Sequence, residues 1–382
     1  MINSDLRTQR MKVKLCDVCE RKSSNLKQSE IINKNGDYPI YGATGYLGNV
    51  DFYHIEKPYV AVIKDGAGIG RTTLHPGKSS IIGTMQYLIP KEGILPEYLY
   101  YVVKYMHLEK YYTGATIPHI YFKDYKNEEF NFAPFEKQKK IVECLKKVEN
   151  IIDNQQTEIK TLESLIKARF VEMFGDPQTN QFNWNKVNIS RIIKGEVSNG
   201  YFAKRNEYCD NGNVNILGVA NIVNRMYSNV KDLPKTNANQ KDIAKFKVQY
   251  GDMLFCRSSL VAEGIGKASI IPKDIADNIL FECHVIRLPL DLNQCVPEFL
   301  QVLSTTDFFR NQVIAQSKTA TMTTIGQDGI LKTNIILPPI YKQKEFESFV
   351  QQVDKSKLAV QQSLEKTQLL FDSLMQEYFG EN

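Results

Sequence analysis

One phrase occurs twice in this chain: APFEKQKKI, Ala133 to Ile141, is answered by PPIYKQKEF, which ends at Phe346. A shift of 205 positions lays Pro134 on Pro339, Lys137-Gln138-Lys139 on Lys342-Gln343-Lys344, Val148 on Val353, Leu165 on Leu370, Glu172 on Glu377 and Phe174-Gly175 on Phe379-Gly380. The repeat extends upstream. PEYLYYVV from Pro96 answers PEFLQVLS from Pro297, GIGR at Gly68 answers GIGK at Gly264, and GAT at Gly114 answers TAT at Thr319. A period this long is no solenoid and implies a duplicated globular unit with a tail.

At 382 residues the chain has room for two domains, each burying its own apolar side chains. Hydrophobic residues at 42% and charged residues at 24% are ordinary for a globular protein. No apolar run is long enough for a bilayer, and MINSDLRTQRMKVK lacks the apolar middle of a signal peptide, so a cytoplasmic location without membrane contact is expected. Seven irregularly spaced cysteines fit a reducing compartment. Cys16 and Cys19 form a lone C-x-x-C with no second ligand pair, so a metal site is not expected. The formal charge of +5 permits nucleic acid without requiring it.

The tails read as long helices. The first carries apolar residues at steps of four and three: Ile141, Leu145, Val148, Ile152, then Gln155, then Ile159, Leu162, Ile166, Phe170 and Met173. This is the seam of a helix packed lengthwise on another helix. Pro134 suits its start and Gly175-Asp176-Pro177 its end, and the length is roughly 60 Å at 1.5 Å per residue. The second tail repeats the stripe with Phe346, Val350, Val353, Val360, Leu364, Phe371, Leu374 and Tyr378. Lys357 interrupts it where Ile152 continues the first, and Gln155 interrupts the first where Val360 continues the second, which would help fix one register. The competing reading is that each helix lies on its own domain. An antiparallel pair would give one chain the pseudo-twofold form that dimers reach by symmetry, and two-headed dimers of that kind read two DNA half-sites about one helical turn apart.

The expected fold is α+β: two similar heads, residues 1–133 and 177–338, with long helices at 134–176 and 339–382. PYVAVIKDGAGIGRTTL and FKVQYGDMLFCRSSLVAEGIGKASII each read as strand, glycine turn, strand. A dinucleotide site needs its glycines to open a helix, whereas RTTL and ASII are strand-forming, so β-turns are expected. Five histidines show no ligand spacing, and no zinc-protease, nucleophile-elbow or P-loop motif occurs. Pro338-Pro339 is flanked by Leu337 and Ile340, so the acceptor amide and stacking ring of an adenine-methyltransferase loop are absent. No catalysis is expected from this chain alone.

Base reading uses amides, guanidiniums, hydroxyls and aromatics. In the first head the candidates are Tyr41, Thr44, Tyr46, Lys64, Arg71, Thr116, His119 and Lys123. In the second they are Asn199, Tyr201, Lys204, Arg205, Asn221, Asn224, Arg225, Arg257, Ser258, Lys267, Lys318, Thr319, Thr321, Thr323 and Thr324.

The doubled P-x-x-x-K-Q-K helix start, the helix exits EMFGDP and EYFGEN, the YGATGYLG and GDMLFCRSS…GIGKASII segments and the two-head, two-helix order resemble the specificity (S) subunits of Type I restriction-modification systems over nearly the whole chain. That family usually has Glu-Gln-Lys where this chain has Lys137 and Lys342 first. The resemblance implies two target-recognition domains that read a split, asymmetric site in double-stranded DNA, with two antiparallel conserved-region helices as ruler and docking surface. Two modification subunits would supply S-adenosylmethionine-dependent adenine methylation, and restriction subunits would use ATP and Mg to cleave. This chain would then need no cofactor. The alternatives are a coiled-coil adaptor without DNA readout and a nucleotide-binding enzyme using the glycine turns.

Overall fold

The computed structural model describes residues 11–31, 35–114 and 118–380. It divides into two compact units, Met1–Thr157 with Gln361–Asn382, and Glu158–Val360. The division cuts both long helices near their middles, because each half-helix packs within one unit.

The two units share a plan. The first contains a four-stranded antiparallel sheet in the order Cys19–Ser23, Met85–Pro90, Tyr59–Ile63, Thr72–His75. Its counterpart in the second is Ser198–Asn199, Val285–Pro289, Asp252–Cys256, Ala268–Ile270. The central strands YVAVI and DMLFC are buried at every position, as apolar runs bounded by turns should be, with Asp252 the one charged residue among them. A three-stranded sheet with one parallel pair accompanies each: Gly45–Val50, Tyr38–Gly42, Ser80–Ile81 in one unit and Lys235–Thr236, Val214–Leu217, Ile279–Phe281 in the other. A two-stranded ribbon leads into each long helix, Met11–Lys14 with Glu129–Phe132 and Asn185–Asn188 with Asn334–Leu337. The glycine segments join antiparallel strands, Tyr59–Ile63 to Thr72–His75 and Asp252–Cys256 to Ala268–Ile270, and neither opens an α-helix. The phosphate-cradling geometry of a dinucleotide site is therefore not formed.

The long helices are Phe135–Phe174 and Ile340–Phe379, each of 40 residues. Gly175 ends the first in the left-handed region at φ +74°, and its N–H reaches the Val171 carbonyl at 2.8 Å. Within each unit the helix segments run antiparallel. In the second unit Glu163 pairs with Lys357, and Arg169 with Glu345 at 3.3 Å. In the first, Gln155 donates to the Ser363 hydroxyl at 2.8 Å. Both polar breaks in the stripe thus find partners across the pair.

The stripe does more than join helix to helix. Ile141, Leu145, Val148 and Ile152 are buried in one core with Leu99, Val102 and Val103 of the helix Pro96–Tyr105 as well as with Phe371. Ile166, Phe346, Val350 and Val353 are buried with Phe299, Leu300 and Leu303 of Pro297–Ser304, and Leu162 packs half-buried against them. The first half of each helix therefore lies on its own head, while the second half, with Leu162 and Ile166 in one helix and Phe371 in the other, packs on the opposite head, so the reading in which each helix lies on its own domain holds for half of each helix, alongside the pairing. Ile159 and Val360, expected in the seam, are half-buried and join none of the core clusters of the described residues. Beyond Phe371 the buried positions are Met375 and Phe379, while Leu374 and Tyr378 stay half-buried. An apolar face that serves both a partner helix and a sheet-backed core must be broader than a two-position seam, and steps of four widen it. The repeated Phe-Gly exits complete the cores: Phe379 meets Tyr98 at 5.5 Å between ring centroids, and Phe174 meets Phe299 at 4.9 Å. Among the described residues no helix is long and apolar enough to cross a membrane.

The repeated phrase has a physical reason. Gln138 is fully buried; its Oε1 accepts from Leu95 N at 3.0 Å, and its Nε2 donates to the carbonyls of Gly93 at 3.2 Å and Ala133 at 3.0 Å. Gln343, equally buried, accepts from Val296 N at 2.9 Å and donates to Gln294 O at 3.2 Å and Pro338 O at 2.7 Å. Leu95 and Val296 each precede the proline that starts a packed helix. One carboxamide thus ties the start of a long helix to the start of the helix beneath it, twice. Gln138→Leu or Gln343→Leu keeps the volume but takes the partner from an N–H and two carbonyls, at about 1–3 kcal/mol for each of them that is buried. Urea unfolding should show a loss of about 3 kcal/mol or more for either substitution; a loss below about 1 kcal/mol would refute the role.

Candidate nucleic-acid interface

Some of the candidate residues, His119 in the first unit and Ser258, Lys318, Thr319, Thr323 and Thr324 in the second, lie where three separate segments meet. In the second, Ser258–Ser259, Thr323–Thr324 and Lys318–Thr319 form a small antiparallel sheet that pairs Ser258 with Thr324 and Thr324 with Lys318. In the first, Asp65 pairs with His119 and His119 with Thr113. The backbone plan is the same, and the side chains on it differ.

In the first unit the glycine turn links two patches. Gly66 N donates to Pro118 O and Ile120 N to Lys64 O, both at 3.0 Å, while the Arg71 guanidinium donates to the Ala43 carbonyl. One patch holds Tyr41, Thr44, Tyr46 and Arg71. Thr44 is exposed, and Tyr46 is 62% exposed with its hydroxyl donating to Asn49 Oδ1 at 3.0 Å. Tyr41 lies half-buried over His75 at 4.3 Å between ring centroids. Burial pushes the Tyr41 phenol up and the His75 imidazole down to about 4, so both stay uncharged near neutrality.

The other patch is a chain of polar groups. Lys64 pairs with one oxygen of Asp65, and the other oxygen lies 2.7 Å from His119 Nδ1. The His119 ring stacks on Tyr121 at 6.3 Å, and Lys123 Nζ lies 5.4 Å from the centre of the Tyr121 ring. Lys64, Tyr121 and Lys123 line a cleft of about 500 Å³ together with Arg21 and Lys126. Sequence reasoning missed Arg21, Asp65, Tyr121 and Lys126. Tyr121 was within reach of it, as an aromatic between His119 and Lys123; Arg21 joins only through the sheet. Thr116 lies outside the described residues.

In the second unit Lys318, Thr319, Thr321 and Thr324 are exposed. Thr323 is 2% exposed with its hydroxyl 3.0 Å from that of Thr319, so it faces inward and supports the sheet. Ser258 is half-buried, and Leu260, two residues on, is 82% exposed. Arg257 donates to Cys283 O at 3.1 Å, and Asn221 Oδ1 accepts from Gly218 N at 3.0 Å; both hold the frame. Lys267 Nζ donates to Asn224 Oδ1 at 2.8 Å, bringing together two segments that lie apart in sequence, with exposed Arg225 next in the chain. Lys204 and Arg205 are exposed at the short 3₁₀ turn Arg205–Glu207. Half-buried Tyr201 donates to Asn237 O at 3.3 Å and packs on Phe246, with half-buried Asn199 two residues earlier. As for the C-x-x-C pair, the Cys19 thiol is buried, donates to Leu15 O at 3.3 Å and is pushed up to about 12 by burial.

Gly200 sets the position of Asn199 and Tyr201. A Cβ there would fall inside the contact distance of the Phe281 and Glu282 carbonyl oxygens, whereas one at Gly326 would meet nothing. Gly200→Ala should lower stability by about 1–3 kcal/mol and Gly326→Ala by less than about 1 kcal/mol. Equal shifts in thermal unfolding would show that the close backbone approach at Gly200 is unimportant.

Two similarly built α+β units, each presenting an edge of three polar segments, make this a two-headed recognition protein in a single chain. It belongs to the Type I restriction modification DNA specificity domain family, whose model matches residues 9–164 and again 182–369. The chain is 24% identical over 295 residues to the Type I restriction enzyme EcoKI specificity subunit of Escherichia coli (strain K12), covering 70% of this chain and 60% of that protein. It is 23% identical over 316 residues to the MjaIX specificity subunit of Methanocaldococcus jannaschii, covering 77% and 71%. Its fold resembles the crystal structure of the Type I restriction-modification S subunit from M. genitalium, with TM-score 0.59 and 13% identity over 100% of this chain and 98% of the other. A chain from a structural study of complex assembly in the type I R-M system aligns with TM-score 0.52 and 14% identity over 96% and 97%.

Proposed function

We propose that this chain is the non-catalytic, DNA-addressing subunit of a cytoplasmic Type I restriction-modification complex. Residues 1–133 and 177–338 form its two target-recognition heads, and the helices at 134–176 and 339–382 fix the gap between half-sites. The observation that carries the reading is that the three-segment edge occurs twice on one backbone plan with different chemistry: Asp65, His119 and Thr113 in one unit, and Ser258, Thr324 and Lys318 in the other. Different donors and acceptors on matching frames favour different bases, hence an asymmetric split site. The exposed candidates, among them Tyr46, Lys123, Lys204, Arg205, Lys318 and Thr321, are the groups best placed to reach double-stranded DNA.

The family match supports partners of the kind that Type I systems use. Two modification subunits would methylate adenine with S-adenosylmethionine after taking the base out of the stack, and restriction subunits would hydrolyse ATP with Mg and cleave. This chain would bind none of these cofactors. Neither alternative gains support, since the glycine turns join strands and polar candidates sit on a three-segment edge in both units.

Mapping methylated adenines across the genome with and without the gene tests the reading: loss at one split, asymmetric motif is expected, and an unchanged map in cells that make the whole complex opposes it. Exchanging residues 177–338 for those of a related protein should change one half of the motif, and a change in both halves would sink the division of labour. Inserting one heptad into both long helices should lengthen the unspecified spacer, and an active complex with an unaltered spacer would refute the ruler.

A further inference from the structure

Each unit has a cleft between its long-helix segments and the end of its shorter packed helix, at matching positions. The first encloses about 1080 Å³ and the second about 380 Å³. Under the 205-residue shift Glu149 answers Asp354, Ile152 answers Lys357 and Phe371 answers Ile166. The charges do not correspond, because Asp372 in the first is replaced by Lys167 in the second.

In the first cleft, Lys104 pairs with Glu149 at 2.6 Å and Lys110 with Glu128, which leaves Glu129, Asp153 and Asp372 as the other lining carboxylates. In the second, Lys357 pairs with Glu163, which leaves Lys167, Arg225, Lys267 and Arg310 against Asp354 alone. Arg310 is braced by a 3.0 Å bond to Glu263 O and Lys267 by its bond to Asn224. Burial pushes the Asp354 carboxyl up from its ordinary range.

A surface meant for the same partner in both units would keep one chemistry, and these clefts have opposite signs. We propose that the cleft of the second unit holds the sugar–phosphate backbone of the bound DNA, with Lys167 and Arg225 neutralising phosphates. One long helix thereby takes part in DNA contact at one half-site only. Asn224, Arg225 and Lys267 already belong to the candidate DNA surface, so the cleft continues that surface onto the helix. The inference rests on the DNA-addressing reading given under Proposed function.

The test is equilibrium binding of the full chain to a duplex carrying its methylated motif and to a scrambled duplex, across a salt series. Lys167→Gln with Arg225→Gln is compared with Lys344→Gln with Lys355→Gln, which removes two exposed charges of the same unit that do not line the cleft. All four positions are exposed, so folding should survive, and matching thermal unfolding curves verify it. Each neutralised phosphate contributes about 0.9 to the slope of log K against log salt. The cleft pair should flatten that slope by about 1–2 on both duplexes, with site preference intact and the control pair near wild type. An unchanged slope, or equal flattening by the control pair, overturns the proposal and leaves the cleft to an acidic protein partner. A wild-type chain that binds both duplexes equally overturns the DNA-addressing reading instead, and the slopes still report on the cleft.

Discussion

The structure depends on a side-chain amide in an unusual setting: a glutamine with no exposure that uses its acceptor and both donors on the backbone. A carboxylate at Gln138 or Gln343 would bring a buried charge and could not donate to the two carbonyls that Nε2 serves. An apolar residue would leave three peptide groups unpaired. The neighbouring lysines are under no such constraint. Lys137 is exposed and Lys342 half-buried, so a change at that place alters no contact of the tie. Both halves keep the phrase because both must solve the same problem, joining a long helix to the capping turn of the helix it covers.

With that joint fixed, energy and register separate. The buried ends of each stripe remove large apolar surfaces from water, at about 1.5–3 kcal/mol per fully buried side chain. The middle of the pair is polar, where Gln155 meets Ser363 and Lys357 meets Glu163. Exposed pairs of this kind contribute roughly 0–1 kcal/mol, too little to hold helices together. Their effect is on alignment, since a slipped helix would set a lysine or a glutamine against an apolar neighbour. The apolar ends supply adhesion and the polar middle supplies alignment.

Much of this was legible in the sequence. The repeat, the helix limits at Pro134 and Gly175, the glycine turns between strands and the two polar interruptions all depend on local chemistry or fixed periodicity. What escaped depends on the third dimension. Periodicity identified an apolar stripe but not how much of it faces a sheet-backed head, so Met375 and Phe379 were missed while Leu374 and Tyr378 stayed half-buried. Composition proposed hydroxyls and amides without separating those turned outward from those that brace the frame. Thr323, Asn221 and Arg257 are of the second kind. Arg21 and Arg310 lie far along the chain from the groups they join, and no local pattern marks them, whereas Lys126 follows Lys123 closely in the chain and was within reach.

A duplicated frame also explains why function can diverge without loss of fold. The backbone pairing Asp65–His119–Thr113 recurs as Ser258–Thr324–Lys318, and the cleft at Glu149 recurs at Asp354. In each case the apolar core and the buried glutamine beneath are kept, and the solvent-facing chemistry is exchanged, even in the sign of its charge. Such exchange costs little stability because exposed groups contribute little to it. The surface chemistry of one unit can therefore change while the core of the other stays as it was.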